Sequence, residues 1–404
     1  MDFTLSDDHL ALKDTVRRFA EREIEPHIRE ADAEQKLIPG LLPKMAEQGL
    51  LGICIPQKYG GAGMDYISLG LACEELERAD TVVRVVMSVH VGLSGLALLQ
   101  WGTEAQKQQY LAPQARGERI GGYGLTEPNA GSDVANMQAT AVKKGDRYLL
   151  NGEKTWISLA NTADQFLIFA YTDKSKKHDG ISCFIVERKY PGVTARPIKG
   201  KLGVRAGDTG SLAFHDVEVP AANLLGREGE GFKIAMSALD NGRFTLASGA
   251  VGLIEACLDH CTRYCHDRKT FGEEIGKHQL VQQMLARMVQ MRDIGRLLYY
   301  HAGWLKNQGV RNTRETSLAK WTNCANCFQA AHDAIQIFGA YGYSNEYPVE
   351  RYFRNARGLM IYEGTHQIHE IMQAQYQLGY REDKPVRCPL PAWPFEADRE
   401  LAAA

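Results

Sequence analysis

Ile361-Tyr362-Glu363-Gly364-Thr365-His366-Gln367-Ile368-His369 is the stretch from which the rest of the chain is read. A single carboxylate, Glu363, sits between an aromatic residue and a glycine near the end of a long helical region. Gly364 lets another molecule approach the backbone, and Thr365 and Gln367 add hydrogen-bonding groups beside it. The nine residues admit two readings. One is a lone general base at the floor of an apolar site; the other is a polar turn between two helices.

Working outward, apolar residues recur at helical spacing around 232–266, 278–308, 314–339 and 348–376. Four long helices with short connections predict an antiparallel bundle. Asp267-Arg268-Lys269-Thr270-Phe271-Gly272 interrupts the periodicity with a basic, glycine-ended loop. Gln336-Ile337-Phe338-Gly339-Ala340-Tyr341-Gly342-Tyr343 breaks a second helix with close-set glycines, where backbone can approach a phosphate or a partner chain. After Arg381 come Pro385, Pro389, Pro391 and Pro394, which predict an extended arm without a packing pattern.

Before the bundle, from Gly121 to about Val219, short strand-like runs alternate with turn signals, predicting a small barrel or folded sheet. Asn151-Gly152 reads as its hairpin turn. Two polar segments stand out there, Tyr123 to Asp133 and Trp156-Ile157-Ser158. Trp156 is either an aromatic plate for a ligand or a core residue. Residues 1 to about 115 are again helical, with Ser6 as an N-cap. Tyr59-Gly60-Gly61-Ala62-Gly63 lacks the spacing and the strand–helix setting of a dinucleotide loop.

Within that helical region Arg84 lies in the middle of Thr81-Val82-Val83-Arg84-Val85-Val86-Met87-Ser88-Val89. A guanidinium keeps its charge, and burying it unpaired costs several kcal/mol. Ser88 lies one turn on and Glu77 two turns back, so the three share a helical face. Arg84 is then an ion-pair partner of Glu77, a side chain that snorkels to solvent, or a receptor for a substrate carboxylate. Gly92 and Gly95 further along hint at room beside a bound chain.

Composition sets outer bounds. The chain has 404 residues, 44% hydrophobic, with 47 Lys+Arg against 49 Asp+Glu and a formal charge of −2. That is ample for two or three domains, and nothing marks a nucleic-acid partner. No apolar run approaching ~18 residues is read, so no membrane span is expected. Met1 to His9 resembles neither a secretory signal nor a transit peptide, which predicts a cytoplasmic protein. Of nine cysteines, Cys257, Cys261 and Cys265 form a helical stripe, and Cys324-x-x-Cys327 lacks a second pair. Buried free thiols are expected rather than a metal site or disulfides.

In this order these segments resemble the acyl-CoA dehydrogenase family over residues 1 to about 380. The resemblance implies an α+β fold: an N-terminal helical domain (1–120), a central β-barrel-like domain (121–228) and a C-terminal four-helix bundle (229–380), followed by a Pro-rich extended tail (381–404). It implies FAD, with Tyr123, Leu125, Thr126, Gly131, Ser132, Trp156, Ile157, Ser158, Thr365 and Gln367 lining it. Arg268, Phe271, Gln279, Gln336, Gly339 and Ala340 would reach the FAD of a neighbouring subunit, giving a homodimer or homotetramer. Glu363 becomes the base that takes a proton alpha to an acyl-CoA thioester, with Tyr362, Gly364, Ser132, Asp240 and Arg243 contacting substrate. The electron acceptor implied is an electron-transfer flavoprotein. Within the family, Glu77 with Arg84 to Ser88 resembles the glutaryl-CoA dehydrogenase branch, where Arg84 and Ser88 would receive a distal carboxylate. Glutaryl-CoA is the expected substrate type; a 2-substituted succinyl-CoA such as benzylsuccinyl-CoA, or a generic short-chain acyl-CoA, is the alternative.

Overall fold

The computed structural model describes residues 4–403; Met1, Asp2 and Phe3 of the N-terminal segment read above, and Ala404 of the tail, lie outside them. The N-terminal region is built from helices. Ser6 caps the first, Asp7–Glu23, its Oγ accepting from the His9 amide at 3.3 Å. Tyr66–Ala79 and the continuous helix from Thr81 to Trp101 carry the core of this region. The latter is apolar enough to cross a membrane, with a mean hydropathy of 1.9 over its most apolar window, contrary to the sequence expectation. That window is 94% buried inside the protein, so it is a core helix. Its middle, Met87–Gly95, is wound as a π-helix, which the periodicity did not reveal.

The central region is one folded eight-stranded sheet. Its strands are β1 Gly121–Gly124, β2 Thr140–Lys144, β3 Arg147–Ser158, β4 Gln165–Tyr171, β5 Ile181–Glu187, β6 Val193–Pro197, β7 Thr209–Pro220 and β8 Leu224–Leu225. They run in the order β6-β7-β3-β2-β4-β5-β8, with β1 parallel to β4. β4 and β5 are buried along their whole length, which explains their unbroken apolar runs. The hairpin turn is not at Asn151-Gly152. Lys144 pairs with Arg147 across Gly145-Asp146, and Asn151-Gly152 lies inside β3 at a bulge opposite β7. Gly152, at φ 142°, is needed there because a Cβ would meet the Ala139 side chain at 2.6 Å.

The C-terminal region packs Gly231–Asp267, Gln279–Asn307 and Thr313–Phe338 with the pair Val349–Leu359 and His366–Gln377. The run expected as one helix over 348–376 is therefore two, parted at Met360 to Thr365. The cysteine stripe is buried, as are Cys324 and Cys327; all nine cysteines are free thiols.

The tail corrects the expectation of an unpacked arm. Val386, Cys388 and Leu390 pack on the core, and Phe395 is 1% exposed with its ring 6.0 Å from that of Tyr66. Trp393 donates its amide to the Asn307 carbonyl and its Nε1–H to the Gly63 carbonyl. Gln100 and Tyr66 donate to the Cys388 and Pro391 carbonyls, and Glu396–Ala403 closes the chain as a helix. Prolines removed the helical pattern without removing the alternate apolar residues that bind this strap.

Candidate active site

Glu363 stands at the break between the last two helices, in the left-handed conformation at φ 55°, followed by Gly364 at φ 96°. A non-glycine residue held there stores strain, and the surroundings must over-determine it. They do so from two helices. Arg243, on Gly231–Asp267, donates Nε–H to the Glu363 carbonyl at 3.0 Å. Lys320, on Thr313–Phe338, donates Nζ–H to the Gly364 carbonyl at 2.6 Å. Thr365 caps the helix that follows, its hydroxyl accepting from the Ile368 amide.

The Glu363 carboxylate is shut off from solvent at Oε2, which has no hydrogen-bond partner among the described residues. It lies over bare backbone: a Cβ on Gly242 would meet Oε2 at 2.4 Å and Leu93 at 2.7 Å. Desolvation raises its pKa above the usual carboxylate value, while Arg84, Lys320 and Arg243 pull the other way. A buried, raised carboxylate without a partner is the arrangement a general base requires.

Beside it runs a polar chain through an apolar wall. Arg84 is fully buried; its Nε–H donates to Glu77 at 2.5 Å, one η nitrogen to Ser88 Oγ at 3.0 Å and the other to the Tyr362 hydroxyl at 2.9 Å. The Ser88 and Thr245 hydroxyls are 2.6 Å apart, and Thr245 donates to the Gly242 carbonyl. Ser88 therefore accepts from Arg84 and passes its own hydrogen on. The ion pair with Glu77 exists, and the snorkelling alternative fails. Of five guanidinium N–H groups, three are used, leaving two on the η nitrogens. Gly249 makes room for the pair, since a Cβ there would meet Glu77 Oε2 at 2.1 Å. Gly92 and Gly95 face protein instead of a cavity: a Cβ on Gly92 would meet Thr245 at 3.4 Å and one on Gly95 the His90 carbonyl at 3.1 Å.

Asp240 and Arg243 are buried, not a surface pair. They lie 3.3 Å apart, with Thr313 donating to Asp240 and Arg243 gripping the Glu363 carbonyl. The sequence reading missed Lys320, Gly242 and Thr245; a lysine on a helix interior face was the one available signal.

The FAD-lining candidates divide by exposure. Trp156 sits at a bulge in β3, at φ 59° and 61% exposed, so it is a plate turned out of the sheet and not a core residue. The Thr155 amide bonds the Thr126 carbonyl, which brings the two polar segments together. Gly131 has open space around it, Ser132 is exposed and Ser158 half-buried. Leu125 and Ile157 bury their side chains, offering only backbone; Tyr123 packs on Phe169 with its hydroxyl near the Ala235 carbonyl. An exposed aromatic plate flanked by hydroxyls and open glycine backbone fits a flavin.

Phe271, 98% exposed at φ 52°, lies with exposed Arg268, Gln279, Gln336, Gly339 and Ala340 at the other end of the bundle, where Tyr264 stacks on Phe338 at 4.1 Å. Arg243 and Arg268 are 25 residues apart along one helix and its first flanking residue, roughly 38 Å at ~1.5 Å per residue. That length of helix separates the Phe271 cluster from the Glu363 turn within one chain. Thr365 is half-buried and Gln367 exposed on the Glu363 side.

Three family models match in tandem: acyl-CoA dehydrogenase N-terminal domain over residues 6–118, middle domain over 122–217 and C-terminal domain over 229–377. The chain is 40% identical over 372 residues to a short-chain-specific acyl-CoA dehydrogenase of Clostridium acetobutylicum (92% of this chain, 98% of the other). It is 39% identical over 387 residues to a glutaryl-CoA dehydrogenase of Desulfococcus multivorans (95% and 99%). Among solved structures, a glutaryl-CoA dehydrogenase in complex with glutaryl-CoA superposes with a TM-score of 0.92 at 40% identity, covering 94% of this chain and 98% of that one. A Mycobacterium smegmatis glutaryl-CoA dehydrogenase with FADH2 gives 0.89 at 33%, covering 94% and 97%. A chain solved in work on the electron transferring flavoprotein of Acidaminococcus fermentans and flavin-based electron bifurcation gives 0.92 at 44%, covering 94% and 100%.

Proposed function

This chain belongs to the acyl-CoA dehydrogenase family, and from that premise we propose that it oxidises the Cα–Cβ bond of an acyl-CoA thioester bearing a distal free carboxylate, of glutaryl-CoA type. The family's cofactor is FAD, which would supply the acceptor for the beta hydride. Trp156, Thr126, Ser132 and Ser158 would hold FAD on this chain, while Arg268, Phe271, Gln279, Gln336, Gly339 and Ala340 would serve the partner subunit's site. An electron-transfer flavoprotein takes the electrons onward, and the working compartment is the cytoplasm.

Glu363 removes the alpha proton. A free carboxylate, with a pKa of ~4.3, is too weak for so poor an acid. Burial without a partner at Oε2 makes it more basic. The Glu363 amide, for which no acceptor is found among the described residues, donates to the thioester oxygen and stabilises the developing enolate. Tyr362, bonded to Arg84 through its hydroxyl, lays its ring beside the reacting carbons.

Arg84 carries the substrate assignment. It is fully buried next to the base and keeps two N–H groups beyond its bonds to Glu77, Ser88 and Tyr362. A substrate carboxylate takes those two groups as a bidentate acceptor. The generic short-chain reading draws on Glu77, which already neutralises Arg84. The benzylsuccinyl alternative loses the support drawn from Gly92 and Gly95. Adding glutaryl-CoA, succinyl-CoA derivatives and butyryl-CoA separately to the FAD-loaded enzyme and recording flavin bleaching tests the proposal. Fast bleaching by glutaryl-CoA supports it, and bleaching by butyryl-CoA alone refutes it.

A further inference from the structure

Resting on the reading of Glu363 as the base, we infer that Lys320 is a positioning residue for it: its ammonium group fixes the strained Glu363-Gly364 turn through the Gly364 carbonyl and biases Glu363 toward its ionised form. The observations are geometric. Lys320 is 0% exposed, in the interior face of Thr313–Phe338, and among the described residues its ammonium group donates to the Gly364 carbonyl at 2.6 Å. A lysine is almost never fully buried without a partner that uses its charge. Here that partner is a neutral carbonyl, in a turn whose two residues have φ of 55° and 96°. Arg243 holds the preceding carbonyl from the opposite helix at 3.0 Å. Two cations thus pin two successive peptide groups, and the direction in which Glu363 projects over Gly242 follows from both.

The charged and titratable groups facing this turn come from every element packed on it, the Cys324 thiol being held neutral by burial. Arg84 lies on the Thr81–Trp101 helix with Glu77 behind it; Arg243 and Asp240 lie on Gly231–Asp267; Lys320 and Cys324 lie on Thr313–Phe338. His366 and His369 lie on the helix that follows, and burial together with Lys320 holds both imidazoles neutral, His366 with a pKa lowered to about 4. Ser317, one turn before Lys320, meets His369 Nδ1 at 2.8 Å and completes the support of the turn. Burial lowers the Lys320 pKa, and the Glu363 carboxylate opposes that. Removing this cation leaves Glu363 beside one positive charge fewer, so its pKa rises. The base is then protonated over a wider range, and the acid limb of the rate profile moves to higher pH.

The test uses the FAD-loaded oligomer as purified and follows flavin bleaching in stopped flow with whichever of glutaryl-CoA or butyryl-CoA reduces the parent. Lys320→Met is expected to keep its FAD, to lose at least tenfold in the limiting reduction rate and to shift the acid limb upward. The half-saturating concentration should change by less than threefold. Lys320→Arg should restore both rate and limb. Should Lys320→Met fail to fold, Lys320→Gln keeps a donor without the charge, and its acid limb should still move upward. A folded Lys320→Met or Lys320→Gln whose limb stays at the parent's pH overturns the inference and leaves Lys320 a packing residue. Glu363→Gln runs in parallel: if that variant still bleaches at the parent's rate, the base assignment itself is wrong, whatever Lys320 does.

Discussion

Arg84 Nε donates to Glu77 Oε2 at 2.5 Å, and neither side chain reaches solvent. The pair sits in a helix wall that is otherwise apolar, with Gly249 of the facing helix reduced to a hydrogen so that the carboxylate fits. Isolated, such a pair is weak reason for stability, because desolvating two charges offsets their attraction. Breaking it from one side is a different matter, since the other charge is stranded.

Gly249→Ala should therefore destabilise the protein by ~3 kcal/mol or more, the usual cost of breaking a buried pair. The new methyl would lie 2.1 Å from Glu77 Oε2, and the nearest backbone is helical on both sides. Denaturant melts of parent and variant measure it. A change under ~0.5 kcal/mol would mean the helices part easily there.

Gly242→Ala addresses the base instead. Its methyl would overlap Glu363 Oε2, and Leu93 blocks the other side. The variant should bind FAD normally, since none of the exposed flavin-facing residues is touched, while flavin reduction falls a hundredfold or more. Bleaching close to the parent's rate would show that Glu363 swings freely.

The acid limb of the reduction rate should lie above the ordinary carboxylate range, because burial raises the pKa of Glu363 more than Arg84, Lys320 and Arg243 lower it. Below that limb the carboxylate is protonated and the rate falls about tenfold per pH unit. The measurement is the limiting bleaching rate against pH; a limb at or below the value of a free glutamate contradicts the electrostatics described.

The tail supplies an independent check on packing. Phe395→Ala should cost ~3–5 kcal/mol, the range for a buried aromatic, because the ring is 1% exposed against Tyr66. Ending the chain after Asp383 should lower the melting temperature while leaving Glu363 and its neighbours in place. A truncated protein that melts like the parent would show the strap to be dispensable.

How much of this was legible in the sequence depends on what each feature needed. Helical periodicity placed the first three bundle helices within a residue or two, because their buried faces repeat at 3.6 residues, but it ran through the break at Met360 to Thr365 that divides the fourth. Glu77, Arg84 and Ser88 could be aligned on one face from spacing alone. The hairpin signal at Asn151-Gly152 misled, since the same dipeptide also suits a bulge, and only pairing with β7 distinguishes the two. The strap was hidden because its partners, Gly63, Tyr66, Gln100 and Asn307, are distant in sequence. Lys320 was hidden for the same reason: its meaning comes from a carbonyl 44 residues away, and a lone lysine in a helix carries no motif.

The central claim is that Arg84 receives a substrate carboxylate, and Arg84→Met tests it most directly. The measurement is kcat/KM of this variant and the parent on glutaryl-CoA and on pentanoyl-CoA, which has the same chain length without the charge. The account predicts a loss of a hundredfold or more on glutaryl-CoA, ~2.7 kcal/mol in barrier, with activity on pentanoyl-CoA kept or raised. Equal losses on both substrates, in a folded and FAD-loaded variant, would contradict it and leave Arg84 an internal partner of Glu77.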